Sequence, residues 1–102
     1  NQQFQFSNTG DGYVRIAARH SGLVLQVANN DNGADVTQAT NTGAANQQWR
    51  VEDRGGGVVS LINRQSGKAM DVWGRSTADG ARIAQYTYST SNTNQRFLRR
   101  AV

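Results

Sequence analysis

Apolar and polar positions alternate in short bursts along this chain, and each burst is bounded by Gly, Asn, Asp or Ser. Alternation with a period of two over four to eight residues predicts half-buried strands. "GYVRIAA" (12–18) and "GVVSLIN" (57–63) are β-branched runs opened by glycine. "LVLQV" (23–27) and "AMDV" (69–72) follow the tight turns His20-Ser21-Gly22 and Gln65-Ser66-Gly67. "ADVTQA" (34–39) and "ARIAQYTY" (81–88) form a third pair, and "WRVED" (49–53) and "FLRR" (97–100) a fourth. No stretch sustains a 3.6-residue apolar period with caps, so helix is limited to a single turn.

These strands recur because the chain repeats itself. Residues 1–27 align with 46–72 without a gap, and ten of the 27 pairs are identical, Arg19/Arg64, Ser21/Ser66 and Gly22/Gly67 among them. The second copy then carries two extra residues, "WGRSTADG" against "ANNDNG", before Gly33 meets Gly80, Val36 meets Ile83 and Gln38 meets Gln85. A tetrapeptide closes each copy: "NQQF" at 1–4, "NQQW" at 46–49 and "NQRF" at 94–97. The organisation predicted is one domain over 1–102: a closing motif at 1–4, repeats at 5–49 and 50–97, and a tail at 98–102. A repeat of about 45 residues with four short strands fits a propeller or a threefold barrel.

Composition changes this picture little. With 102 residues, 36% of them hydrophobic, and neither Pro nor Cys, the chain is one small domain without disulfides. The net charge of +4 comes from ten Arg and one Lys against seven acids. Only Arg99 and Arg100 are adjacent, and basic residues so dispersed describe a solvated surface; a nucleic-acid partner is not expected. No segment approaches the ~18 apolar residues of a membrane span. No basic-then-apolar leader is present, and the expectation is a secreted protein whose leader has been removed.

The three Gln-x-aromatic closures, taken with "SGKAMDV", "STADGARIAQY" and "NTNQRF" in order, resemble the ricin B-chain-type lectin family, the family-13 carbohydrate-binding modules. The resemblance covers essentially the whole chain. It implies an all-β fold, a β-trefoil with two complete repeats and the tail of a third in this chain. It places Phe4, Trp49 and Phe97 in the core. It also implies a sugar site in the second full repeat at Asp71, Tyr86, Asn94 and Gln95. Those residue types suit the task. A carboxylate at Asp71 accepts hydrogen bonds from two vicinal hydroxyls. Tyr86 offers a flat apolar face to the C–H side of a pyranose. Asn94 donates and accepts at a further hydroxyl, and Gln95 does likewise or orients Asp71 from behind.

In the first repeat Gln26 stands for Asp71 and Ala39 for Tyr86, while Asn46 and Gln47 remain. Loss of both the carboxylate and the ring predicts a silent structural copy. Many family members carry a disulfide in each repeat, and its half-cystines would fall at Ala69 and Tyr88, where a small residue and a large ring could fill the volume instead. Alternation puts Tyr88 on the face of Tyr86 and Trp73 on the face of Asp71, so both are candidates to widen the sugar platform or to serve only as packing.

Catalysis is not expected. The single histidine, His20, lies in a turn, and Glu52 and Asp53 are adjacent in a strand and point to opposite sides. No nucleophile–base pair, metal site or cofactor site can be assembled from such a set. Two readings stay open: a lectin or carbohydrate-binding module, free or joined to a secreted glycoside hydrolase, and a structural or protein-interaction trefoil with decayed sugar sites. Galactose-like and xylose-like sugars fit the first equally well. Finally, "NQQF" at 1–4 reads as the end of a further repeat, and the expectation is that upstream chain or another subunit supplies it.

Overall fold

The computed structural model describes residues 4–72, 83–89, 95 and 97–98. Nine strands appear among them: β1 (Phe4–Asn8), β2 (Val14–Ala18), β3 (Val24–Val27), β4 (Val36–Ala39), β5 (Trp49–Gly55), β6 (Val58–Asn63), β7 (Ala69–Val72), β8 (Ile83–Tyr86) and β9 (Phe97–Leu98). The helical content among named elements is one 3₁₀ turn at Ala45–Gln47. The fold is an all-β trefoil with a nearly closed barrel.

All pairings are antiparallel. β2 pairs with β1, β3 and β5, while β6 pairs with β5, β7 and β9. β2 and β6, each the first predicted strand of its copy, therefore hold the same central place. The turns behave alike too: Gly22 N–H donates to the Ala18 carbonyl (2.8 Å) and Gly67 N–H to that of Asn63 (2.9 Å). Both glycines have positive φ, +75° and +70°, which a side chain would strain.

The inward faces of these strands meet in one core of Ile16, Leu25, Val27, Val36, Trp49, Leu61 and Met70. Phe4 and Phe97 pack against it, so all three closing aromatics are core residues. Trp49 is fully buried, and its indole N–H donates to the Leu25 carbonyl (3.2 Å). That bond satisfies the polar atom of the largest core ring. Third strands are shorter than alternation predicts. β8 stops at Tyr86, and Thr87 to Ser89 lie outside any strand.

Candidate functional site

The two hairpins β3–β4 and β7–β8 have the same register. Val24 faces Ala39 and Gln26 faces Thr37 in the first; Ala69 faces Tyr86 and Asp71 faces Ala84 in the second. Directly opposed residues share a sheet face, as do residues two apart on one strand. Asp71 and Tyr86 are therefore diagonal neighbours on one face of β7–β8. Gln26 and Ala39 occupy the corresponding places in the first hairpin. Asp71 is buried (1% exposed), whereas Tyr86 at the strand end is half-buried.

Gln95 is fully buried and its amide serves the segment that follows Tyr86. Its Oε1 accepts from Ser89 N–H (2.8 Å), and its Nε2 donates to the carbonyls of Thr87 (3.2 Å) and Tyr86 (3.4 Å). Gln47 does the same in the first repeat, accepting from Thr42 N–H (2.9 Å) and donating to the Thr40 carbonyl (2.9 Å). It also donates to Gln26 Oε1 (3.0 Å), at the position that corresponds to Asp71. Asn46 Nδ2 donates to the Val27 carbonyl (3.0 Å), a structural bond within its repeat. Its counterpart Asn94, and Trp73, lie outside the described residues.

Tyr88 is not opposite Ala69; Tyr86 is. With β8 ended at Tyr86, strand alternation no longer places Tyr88 on the Tyr86 face. Instead the Arg54 guanidinium sits 3.9 Å from the centroid of its ring, and Arg54 Nε donates to the Ser60 hydroxyl (3.2 Å). The arrangement is a cation–π contact that occupies the ring.

A neighbour of the site that the strand pattern did not single out is the loop over 29–35 in the first repeat. Gly33 N–H donates to the Gln85 carbonyl (2.7 Å), and Gln85 N–H to the Ala34 carbonyl (3.0 Å). The buried Gln85 side chain donates to the carbonyls of Asn29 (2.6 Å) and Asp31 (3.0 Å) and accepts from the Ser66 hydroxyl (2.7 Å). Asn32 Oδ1 accepts from Thr87 N–H (2.9 Å). The available signal was the pairing of Gly33 with Gly80 in the internal alignment.

His20 is exposed in its turn, Glu52 pairs with Arg50, and Asp53 accepts from Gly55 N–H (2.8 Å). Among the described residues no cluster of His, Cys, Asp or Glu could hold a metal ion, and no helix is long and apolar enough to cross a membrane.

The profile of the family described as "Ricin-type beta-trefoil lectin domain-like" matches residues 1–86. The chain belongs to that family. Among solved structures it is similar to ThreeFoil, a designed threefold-symmetric protein, with 48% identity and a TM-score of 0.83 over 94% of this chain and 69% of that one. It is also similar to an exo-β-1,3-galactanase from Clostridium thermocellum, with 33% identity and a TM-score of 0.81 over 92% of this chain and 21% of the enzyme. A Polyporus squamosus lectin, bound in its crystal to Neu5Aca2-6Galb1-4GlcNAc, shares the fold at 16% identity and a TM-score of 0.77; it covers 91% of this chain, which spans 33% of the lectin. No curated protein matches the chain by sequence. A lectin-type trefoil domain is thus the class to which fold and family both assign it.

Proposed function

We propose that this domain binds a pyranoside on the β7–β8 face, with Asp71 accepting from two vicinal hydroxyls and the Tyr86 ring stacking on the apolar side of the sugar. The observation that carries this reading is the shared face of Asp71 and Tyr86 in a register where the first hairpin has Gln26 and Ala39. A carboxylate within a central strand is held in one orientation, so little entropy is lost when a weak ligand arrives. Gln95 sets the 86–89 backbone and, by analogy with the Gln47–Gln26 bond, orients Asp71. Asn94 adds a polar contact, and Trp73 borders the platform, whereas the Tyr88 ring is taken by Arg54. The first repeat is a structural copy.

The ligand belongs to the galactose-like or xylose-like class, and the galactanase likeness favours the first. On this reading the domain is non-catalytic and secreted, and serves as a free lectin or as a module appended to a glycoside hydrolase. A single site of this kind binds at about millimolar Kd and relies on repetition or tethering for avidity. β1, which pairs with β2 alone among the described strands, and the half-exposed Phe6 on it are covered by a further repeat, from elsewhere in the polypeptide or from another copy.

Titration by NMR with galactosides and xylo-oligosaccharides tests the site. Shifts are expected to cluster at Asp71, Tyr86 and Asn94, and Asp71→Asn or Tyr86→Ala is expected to weaken binding at least about tenfold, the equivalent of ~1.4 kcal/mol. Equal affinity of both variants and wild type would leave a structural or protein-interaction role.

A further inference from the structure

Identical residue types sit in different surroundings in the two repeats. Gln38 and Gln85 are paired in the alignment, and each accepts from the serine of its own turn, Ser21 (3.4 Å) or Ser66 (2.7 Å). Gln38 is nonetheless exposed and Gln85 fully buried. The difference is the 29–35 loop of the first repeat, which lies along β8 of the second. It bonds both backbone groups of Gln85, the Gln85 amide and the Thr87 N–H. Asp35 and Ala84 extend the contact as an isolated antiparallel bridge. The strand end that carries Tyr86 is therefore fixed on both sides of that residue, at 85 and 87, by another repeat.

Gly33 is where the loop passes the Tyr86 ring. Its φ of +84° is one that L-residues rarely adopt, and a Cβ there would lie 3.4 Å from the Tyr86 hydroxyl and 3.8 Å from Cε1 and Cζ. The loop backbone at Gly33 thus passes beside the phenol end of the ring, about a methyl group's width away. Gly10, Gly12 and Gly43 have positive φ as well, yet a Cβ on any of them would meet nothing within 4 Å. Conformation accounts for the glycine at all four positions; at Gly33 alone among them an added Cβ would also come into van der Waals contact with a side chain, the Tyr86 ring.

We infer that the 29–35 loop of the first repeat is a positioning element for the sugar site of the second, with Gly33 setting the place of the Tyr86 ring and Asn32 that of the strand end behind it. The site is then a composite of two repeats, and the first repeat, silent as a binder, is required by the second. A stacking ring contributes to affinity only if it is held where the sugar face arrives. This inference rests on the assignment of Tyr86 as the stacking residue.

The test uses the full 102-residue chain, with lactose and xylobiose as probes. Gly33→Ala is compared with Gly12→Ala, which imposes similar backbone strain (φ +93°) without the ring contact. Asn32→Ala removes the Thr87 acceptor without touching φ, and Tyr86→Ala is the reference for loss of stacking. The expected result is that Gly33→Ala moves the Tyr86 ring resonances and weakens the bound sugar about tenfold, that Asn32→Ala weakens it about threefold, and that Gly12→Ala lowers Tm but leaves both ring and affinity as in wild type. If Tyr86→Ala loses binding while Gly33→Ala and Asn32→Ala keep it, the positioning role is overturned and the sugar site stands. Should Gly33→Ala fail to fold, Asn32→Ala alone decides, since unchanged affinity and ring shifts there contradict the role. If wild type binds neither probe, or Tyr86→Ala binds as wild type does, the stacking assignment falls and this inference falls with it.

Discussion

Arg64 shows how much one side chain does in a chain so poor in apolar residues. Its Nη1 donates to Asp11 Oδ2 (2.6 Å) and to Gln48 Oε1 (2.7 Å), and its guanidinium lies 4.3 Å from the centroid of Tyr13. The β1–β2 turn, the closing motif of the first repeat and the β6–β7 turn are thereby joined at one cation. Asp11 also accepts from the Thr9 hydroxyl, and that bond, followed by Arg64, holds its carboxyl below the ordinary value of 3.8. A depressed carboxyl stabilises the fold above the unfolded-state pKa, and the contribution is lost as pH falls through the lower folded value. Asp11→Asn is therefore expected to lower the urea midpoint slightly at about pH 7, and by progressively less as the pH falls below the ordinary carboxylate value toward about pH 2. Urea titrations across that interval check it, and parallel curves for the two proteins would contradict it.

At the scale of elements, the β7–β8 hairpin and the 29–35 loop behave as one unit. Gln85 is its hinge pin, since its amide and both backbone groups are all engaged. Gln85→Leu keeps the volume but leaves the Asn29 and Asp31 carbonyls without that donor, at a cost of roughly 2 kcal/mol. Hydrogen exchange at Gly33 and Thr87 is expected to accelerate, while exchange in β5–β6 changes only through global stability. The corresponding change at the exposed Gln38 is expected to cost less than about 0.5 kcal/mol. Equal costs at the two positions would mean that burial of Gln85 is not what distinguishes them.

Across the whole molecule, the two central strands β2 and β6 each carry three neighbours, whereas β1 pairs with β2 alone among the described strands. β1 is exposed along most of its length, and Phe6 on it is 50% exposed. An exposed apolar ring on an open strand edge favours strand addition. The isolated 102-residue chain is expected to self-associate as concentration rises, and Phe6→Lys to weaken association at least about tenfold in sedimentation equilibrium. Monomeric behaviour of the wild type at high concentration would exclude another copy as the element that covers this edge.

The sequence by itself determined the elements and their equivalence. Alternation and turn chemistry are local, so "AMDV" is β7 to the residue, the three closing aromatics lie on the core, and the internal alignment reproduces the shared register of the two hairpins. It also singled out Asp71 and Tyr86 as a pair absent from the other repeat. Tertiary structure decided what sits around that pair. Tyr88 lies beyond the end of β8, so alternation does not place its ring, and it has Arg54 as its partner. Gln38 and Gln85 share a residue type and a local motif and differ in burial because a loop more than 50 positions away in sequence, the one through Asn29 and Asp31, folds onto one of them. Contacts at that separation depend on how the repeats pack, and no periodicity within either repeat records them.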